Sequence, residues 1–350
     1  MSKLNFSKGA APSTVAAGAL ALYAKTDNLL YTKDENGVEY AVTRLGTLIA
    51  KNAVINGGML VAQRADLTLG SSAPAANAGY GKVDRFQAWA TGTSVSAGTA
   101  TQDTASGIGR TGYALKLSGV TLTGTGITYT RHRIEALNSL RFKNQTASLS
   151  CRVKHDVGSS INYTLTVRKA NTADTFSATT LIQAGSATSV ASGSETLLTL
   201  EGISMGDCSN GIEIEVKAEC GAVTTKNFWL TELQLEEGSK ATSFEHVSFE
   251  QELARCLRYF EFCDFYTYGI PAYHYSTTAA AAFFQFKAKK RSATWTATMT
   301  ASQGSYDLGG TISFGGSGED GMRVDVTGTT ATTKGYANLL YAKGHVACEL

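Results

Sequence analysis

Three groups of carboxylates and one run of aromatic rings are the residues of this chain whose types and spacing could do chemistry. Glycosidic cleavage needs two carboxyl groups a few ångströms apart across a groove. Glu213 and Glu215 lie two apart in an alternating stretch, on one face of an expected strand. Glu232, Glu236 and Glu237 form a second group, and Glu319 and Asp320 a third. Same-face carboxylates at that spacing are ordinarily solvated, or paired with a Lys or Arg of the neighbouring strand. No residue is therefore assigned a catalytic role, and the chain reads as a non-enzyme. There is no G-x-x-x-x-G-K-S/T loop and no H-E-x-x-H pair. His132, His155, His246, His274 and His345 stand apart, without metal-ligand spacing among themselves or to cysteines. They read as surface or strand-end residues, and neither a metal nor a cofactor is expected.

Binding has better material. Phe265, Tyr266, Tyr268, Tyr273, His274 and Tyr275 crowd one short segment. Aromatic faces stack on sugar rings, and tyrosine hydroxyls add hydrogen bonds at low entropy cost. Tyr268, Tyr273, His274 and Tyr275 are the expected saccharide contacts, the other rings serving as packing. Glu319 and Asp320, in the turn-rich loop 315–321, are a second candidate contact, because exposed tips on rigid β scaffolds carry recognition. Trp89, Trp229 and Trp295 sit in alternating patterns and read as core. Asp84 and Arg85 read as a structural ion pair.

The elements that must hold these residues are mostly strands. Charged residues make up only 17% of the 350, and Gly numbers 36 against 3 Pro. Such a chain suits many short strands joined by tight turns. Residues 113–117, 147–153, 163–167, 211–216 and 228–235 alternate apolar and polar, one face inward and one outward. Around 248–262 the period changes. Phe249, Leu253, Cys256, Leu257 and Phe260 follow helical spacing, with Ser248 placed to cap the helix. From 263 to 350 strands resume. Residues 1–51 read as a three-stranded meander, with 43–51 a short helix or an outgoing strand. So small a unit buries little surface alone, which predicts docking on a partner or trimerisation. The expected fold is all-β: an antiparallel, jelly-roll-like β-sandwich over 52–247, a small N-terminal β anchor over 1–51, and a short helix with a C-terminal β module over 248–350.

The formal net charge is +2, and the one basic cluster, Lys287 to Arg291, reads as a solvated strand end, so no nucleic-acid partner is expected. No run of about eighteen apolar residues occurs, so no membrane insertion is expected. The N-terminus, Met1 to Phe6, lacks a signal-peptide apolar core, which predicts assembly in a cytoplasm. The six cysteines form no C-x-x-C pair and are expected reduced and mostly buried.

Several segments, taken in order, resemble a module of bacteriophage tail-fibre and receptor-binding proteins. Asn56-Gly57, Gln63-Arg64, Tyr80 and Asp84-Arg85-Phe86 resemble its opening run, in which "NG…WQR" leads to "Y…DRW". Trp229 to Glu237, with Gly238 and Ala241 to Glu245, resembles its "QLE-G-x-x-AT-x-FE" strand, and Glu252 to Glu261 its "EL-x-RC-x-RYYE" helix. Phe286 to Lys289 is similar to its "FPVxMRAxPT" segment, and Val346 to Leu350 to its "W-x-A-D-A-E-L" ending. Residues 10–42 resemble phage structural-protein N-termini. Trp is missing beside Gln63-Arg64, and Phe86 replaces the second Trp. The resemblance implies a carbohydrate-binding-like jelly roll and a homotrimeric fibre. It implies a phage tail or adaptor protein as the partner of residues 1–51, and a host-surface polysaccharide or lipopolysaccharide as ligand. It places the protein in the virion. A head-fibre, decoration or tail-adaptor protein with a purely assembly role is the first alternative, and a glycan-degrading tailspike the second.

Overall fold

The computed structural model describes residues 9–25, 30–37, 39–42, 51–70, 79–305, 311–315, 318–328 and 337–350. The expectations for Met1 to Phe6, for 43–50 and for 316–317 of the turn-rich loop lie outside them. The chain divides into two compact units, Met1–Lys51 and Asn52–Leu350.

The first unit is an antiparallel meander of β1 (Ala21–Ala24), β2 (Leu30–Lys33) and β3 (Glu39–Val42). Tyr23 and Tyr31 pair across β1 and β2 with ring centroids 6.1 Å apart, and Tyr23 is the buried member. Leu20 and Leu22 remain exposed.

The second unit begins with an antiparallel β-sandwich. Its strands are β4 (Leu67–Thr68), β5 (Gly79–Tyr80), β6 (Phe86–Thr91), β7 (Ser94–Asp103), β8 (Ala114–Thr123), β9 (Ile127–Ile134), β10 (Thr146–His155), β11 (Ile161–Thr172), β12 (Thr175–Ala184), β13 (Thr188–Val190), β14 (Thr196–Ser204), β15 (Ile212–Glu219) and β16 (Val223–Glu237). A single helical turn, α1 (Ala136–Ser139), interrupts them. One sheet runs β14-β10-β16-β8-β7-β4; the other runs β12-β11-β15-β9-β6-β5, with β13 also on β11. The alternating stretches seen in the sequence supply the interior: Leu115, Leu117, Leu149, Cys151, Val153, Leu165, Val167, Ile212, Ile214, Leu233 and Leu235 fill the space between the sheets. Burial of these faces is the main term holding the sandwich together.

Next comes α2 (Phe249–Leu257), shorter than its apolar spacing suggests. Ser248 caps it, accepting the Gln251 N–H at 3.4 Å, and Phe260 already belongs to the next strand. A third sheet follows, built from β17 (Phe260–Asp264), β18 (Ile270–His274), β19 (Ala279–Gln285), β20 (Thr296–Ser305), β21 (Thr311–Gly315), β22 (Gly321–Thr327) and β23 (Ala337–Ala347). Its order is β17-β23-β18-β19-β22-β21, with β20 also on β23. Its apolar face has a core of its own, including Phe265, Phe286, Met322, Val324, Val326, Leu340 and Val346.

A polar seam joins this sheet to the sandwich. Asn56 takes a left-handed φ of 61° and bonds Val61 and Asp84 through its amide at 2.9–3.0 Å, while its N–H donates to the Glu252 carboxylate. Gly57 follows because a Cβ there would lie 2.2 Å from the Leu233 carbonyl oxygen. Arg64 and Arg85 both grip the Glu349 carboxylate, and Arg85 stacks on Tyr259 at 3.6 Å. Lys290 and Glu261 form a fully buried ion pair at 2.6 Å, and Lys290 also donates to the Leu257 carbonyl at 2.5 Å. The segments that resemble the fibre module are therefore largely the parts of this seam.

Four sequence expectations are corrected here. Asp84 and Arg85 do not pair with each other: Asp84 faces Gln63 and Arg64, and Arg85 faces Glu349. Lys290 is not solvated but buried. His155 and His274 end β10 and β18, as expected of strand-end residues, though both are buried, whereas His132 is buried within β9. Of the tryptophans, Trp229 is half-buried on the sandwich's outer face, its indole N–H bonded to Asp103 at 2.8 Å between Lys116 and Lys154. All six cysteines are free and buried, as expected.

Candidate functional site

The run of alanines in β19 leaves one face of the third sheet without bulky aliphatic cover. Strand alternation turns Tyr273 outward from β18 and Phe283 outward from β19, at 60% and 67% exposure. Tyr273 stands opposite Ala281, Ala281 opposite Asp325, and Phe283 opposite Arg323. Gly321 lets the Phe283 ring lie across it, since a Cβ there would meet Phe283 Cζ at 2.2 Å. Tyr275 continues the stripe, edge-on to Tyr273 with centroids 6.5 Å apart. Arg323 lies 5.0 Å from the Tyr275 ring and donates through Nε to Asp325 at 2.7 Å. The face thus offers aromatic surfaces beside one fixed guanidinium and one fixed carboxylate. A ring bearing hydroxyls could stack on the first and bond to the other two.

Of the residues expected to contact a saccharide, Tyr273 and Tyr275 come together on this face. Tyr268 is exposed at 88% in the loop before β18. His274 is corrected: at 1% exposure it points to the opposite, core-facing side, because neighbouring strand residues alternate. Glu319 and Asp320 lie elsewhere, in the turn before β22. Gly321 pairs with Gln285, four residues along β19 from Ala281, or about 13 Å at strand spacing. Glu319 is held by Lys289 at 3.0 Å, and its carbonyl accepts from Lys290 at 2.7 Å. Phe283, Arg323 and Asp325 were missed. Their signal was present in the alternation of Met322 to Thr327 and in the phase of Phe283 against the alanines.

Elsewhere the chemistry is occupied. Glu213 bonds Arg133 at 2.9 Å and lies 3.3 Å from Arg131, and Glu215 takes Arg131 at 3.4 Å, the cross-strand pairing anticipated for them. Glu232 is buried against Arg152 at 2.8 Å. Gly202-Ile203-Ser204-Met205-Gly206 has the spacing of a nucleophile elbow, which needs a sharp strand-to-helix turn. Ser204 instead closes β14 in register with Thr146, and the next element is a strand.

No family model and no curated protein matches the chain. Among solved structures it is similar to TmCBM61 in complex with beta-1,4-galactotriose, at 11% identity over 54% of this chain and all of that one, with a TM-score of 0.32. It is similar to the C-terminal family 22 carbohydrate-binding module of Clostridium thermocellum Xyn10B, at 11% identity over 45% of this chain and 84% of that one, TM-score 0.30. The CBM22-1 xylan-binding domain of Paenibacillus barcinonensis Xyn10C matches at 15% identity over 52% of this chain and 90% of that one, TM-score 0.30. At these scores the sandwich assignment rests on sheet order and register, not on the neighbours.

Proposed function

We propose that this protein is a bacteriophage fibre protein that binds a host-surface saccharide without cleaving it. The observation that carries the reading is the exposed Tyr273–Tyr275–Phe283 stripe beside the Arg323–Asp325 pair, on strands that hold it rigid. Large exposed aromatics cost solubility unless they meet a partner. The ordered fibre-module segments supply the virion context. In this reading residues 1–51 attach a homotrimer to the phage tail or an adaptor, the sandwich projects, and the third sheet meets the cell. Three weak sites then gain avidity when they engage together. The salt bridges of Glu213, Glu215 and Glu232 favour binding over hydrolysis.

The purified chain is added to host cells and to their capsule or lipopolysaccharide. Saturable binding, competition with phage adsorption and unshortened glycan support the reading. Tyr273→Ala with Phe283→Ser should abolish binding while shifting stability by no more than about 0.5 kcal/mol, as expected of exposed positions. Shortened glycan, or binding indifferent to the double substitution, would overturn it. Absence of any cell binding would favour a purely assembly role. Light scattering should report a trimer mass at micromolar concentration.

A further inference from the structure

The second sheet of the sandwich carries a closed polar cluster on the side facing away from its partner sheet. Phe86, Ala88 and Ala90 of β6 point into the core, so Gln87 and Trp89 point outward. Arg131 of β9 stands directly opposite Gln87, and Tyr129 opposite Trp89. On β15, Glu215 stands opposite Arg131, and Glu213 opposite Arg133. An outer sheet face is ordinarily wet. Here Gln87 and Arg131 are each only 7% exposed and Trp89 is fully buried. The Trp89 ring stacks on Tyr129, centroids 4.7 Å apart and 2° from parallel, with the Arg131 guanidinium 4.3 Å from the indole.

Two buried polar atoms in this cluster have neither a hydrogen-bond nor an ion-pair partner, Gln87 Oε1 and Trp89 Nε1, whereas Arg131 Nε lies 3.3 Å from the Glu213 carboxylate. Gln87 and Arg131 are cross-strand neighbours, and Trp89 follows on the same face, so the three share one small region. Buried groups without partners are destabilising and rare, and two so close together call for a missing group that matches both. It must accept from the indole N–H and donate to the amide oxygen. A hydroxyl does both. The charges beside it balance, since Arg131 and Arg133 are paired with Glu213 and Glu215. A charged ligand would add an unbalanced charge to that set, whereas an uncharged one would not.

We infer that this cluster is a second binding site, one that takes a neutral saccharide unit. Two vicinal hydroxyls bond to Gln87 Oε1 and Trp89 Nε1, and the sugar's C–H face packs on the aromatic pair. Admission requires Arg131 to swing off the indole. Its bond to Glu215, at 3.4 Å, is at the long limit for a hydrogen bond. The rim at Tyr129, Arg133 and Glu215 is partly open to solvent. The inference rests on the reading of the protein as a saccharide binder but uses none of the residues of the third sheet.

The test uses the full chain with Trp229→Phe and Trp295→Phe, which leaves Trp89 as the single indole. It is titrated with four neutral oligosaccharides (gluco-, galacto-, manno- and xylo-) to about 10 mM, above the millimolar Kd of a weak site. At least one should change Trp89 fluorescence saturably. That response should survive Tyr273→Ala with Phe283→Ser, and should weaken about tenfold or more in Gln87→Met, which removes the acceptor at similar volume. A response lost with the third-sheet pair but kept in Gln87→Met would overturn this site while leaving the proposed function standing. Silence from all four sugars would overturn it as well. Crystals of the unaltered chain soaked with the responding sugar guard against a misfolded variant. Sugar density between Gln87 and Arg131 supports the site, and ordered water alone on the two atoms refutes it.

Discussion

Replacing Lys290 with Met isolates the buried charge at the seam. The Lys290 and Glu261 side chains have no exposure, and their contact is 2.6 Å. Lys290 also donates to the Leu257 carbonyl and lies 4.6 Å from the Phe286 ring. After the substitution the Glu261 carboxylate keeps only the Lys287 N–H, at 3.1–3.2 Å. A buried charge stripped of its partner costs about 3–5 kcal/mol. Glu261→Leu added to Lys290→Met removes the orphaned charge, and most of that loss should return, because an apolar pair of similar volume is often no worse than a buried ion pair. Hydrogen exchange at the amides of β17 and β23 reads the local free energy without assuming that the whole chain unfolds as one. Protection there should fall by about two to three and a half decades in the single variant, at 1.4 kcal/mol per tenfold. A loss below about 1 kcal/mol, or a double variant no better than the single, would show that the pair is not the desolvated clamp described here.

Acid should destabilise the sandwich through its histidines. His132 accepts the Ile55 N–H on Nε2 at 3.2 Å, and burial holds its pKa well below the usual imidazole value; burial also lowers that of His155. The unfolded chain therefore takes up protons first. Stability should be flat above about pH 6.5 and fall below it, by up to about 1.4 kcal/mol per pH unit for each histidine, seen as a dropping urea midpoint; a level profile to pH 5 would contradict this. Gly57→Ala should cost about 1–3 kcal/mol or more by thermal melt, because its Cβ meets the Leu233 carbonyl oxygen rather than a side chain able to move aside. Thiol reagents should label none of the six cysteines in the folded chain and all six in denaturant, since burial pushes the Cys220 thiol up to about 11 and Cys263 to about 12.

The sequence by itself determined the elements. Alternation through residues 147–153, 163–167 and 211–216 marks strands because side chains on a strand must take opposite faces, and the 3.6-residue spacing from Leu253 to Leu257 marks a helix for the equally local reason of its pitch. Reduced, buried cysteines were legible from composition. What alternation cannot say is which neighbour covers a face. Trp89 and Trp229 both point away from the sandwich core, yet one is fully buried and the other half-open. Tyr273 and His274 look equivalent in the sequence, and a one-residue step in β18 sends one to solvent and the other to the core. Lys290 reads as a surface lysine until the folded chain places Glu261 beside it. Arg64 and Arg85 reach Glu349 across more than 260 positions. Each of these outcomes depends on strand partners far apart in the chain, so only tertiary structure could decide them. The aromatic stripe was half visible for that reason: its tyrosines lie in one segment, while Phe283, Arg323 and Asp325 join it only through pairing of β19 with β22.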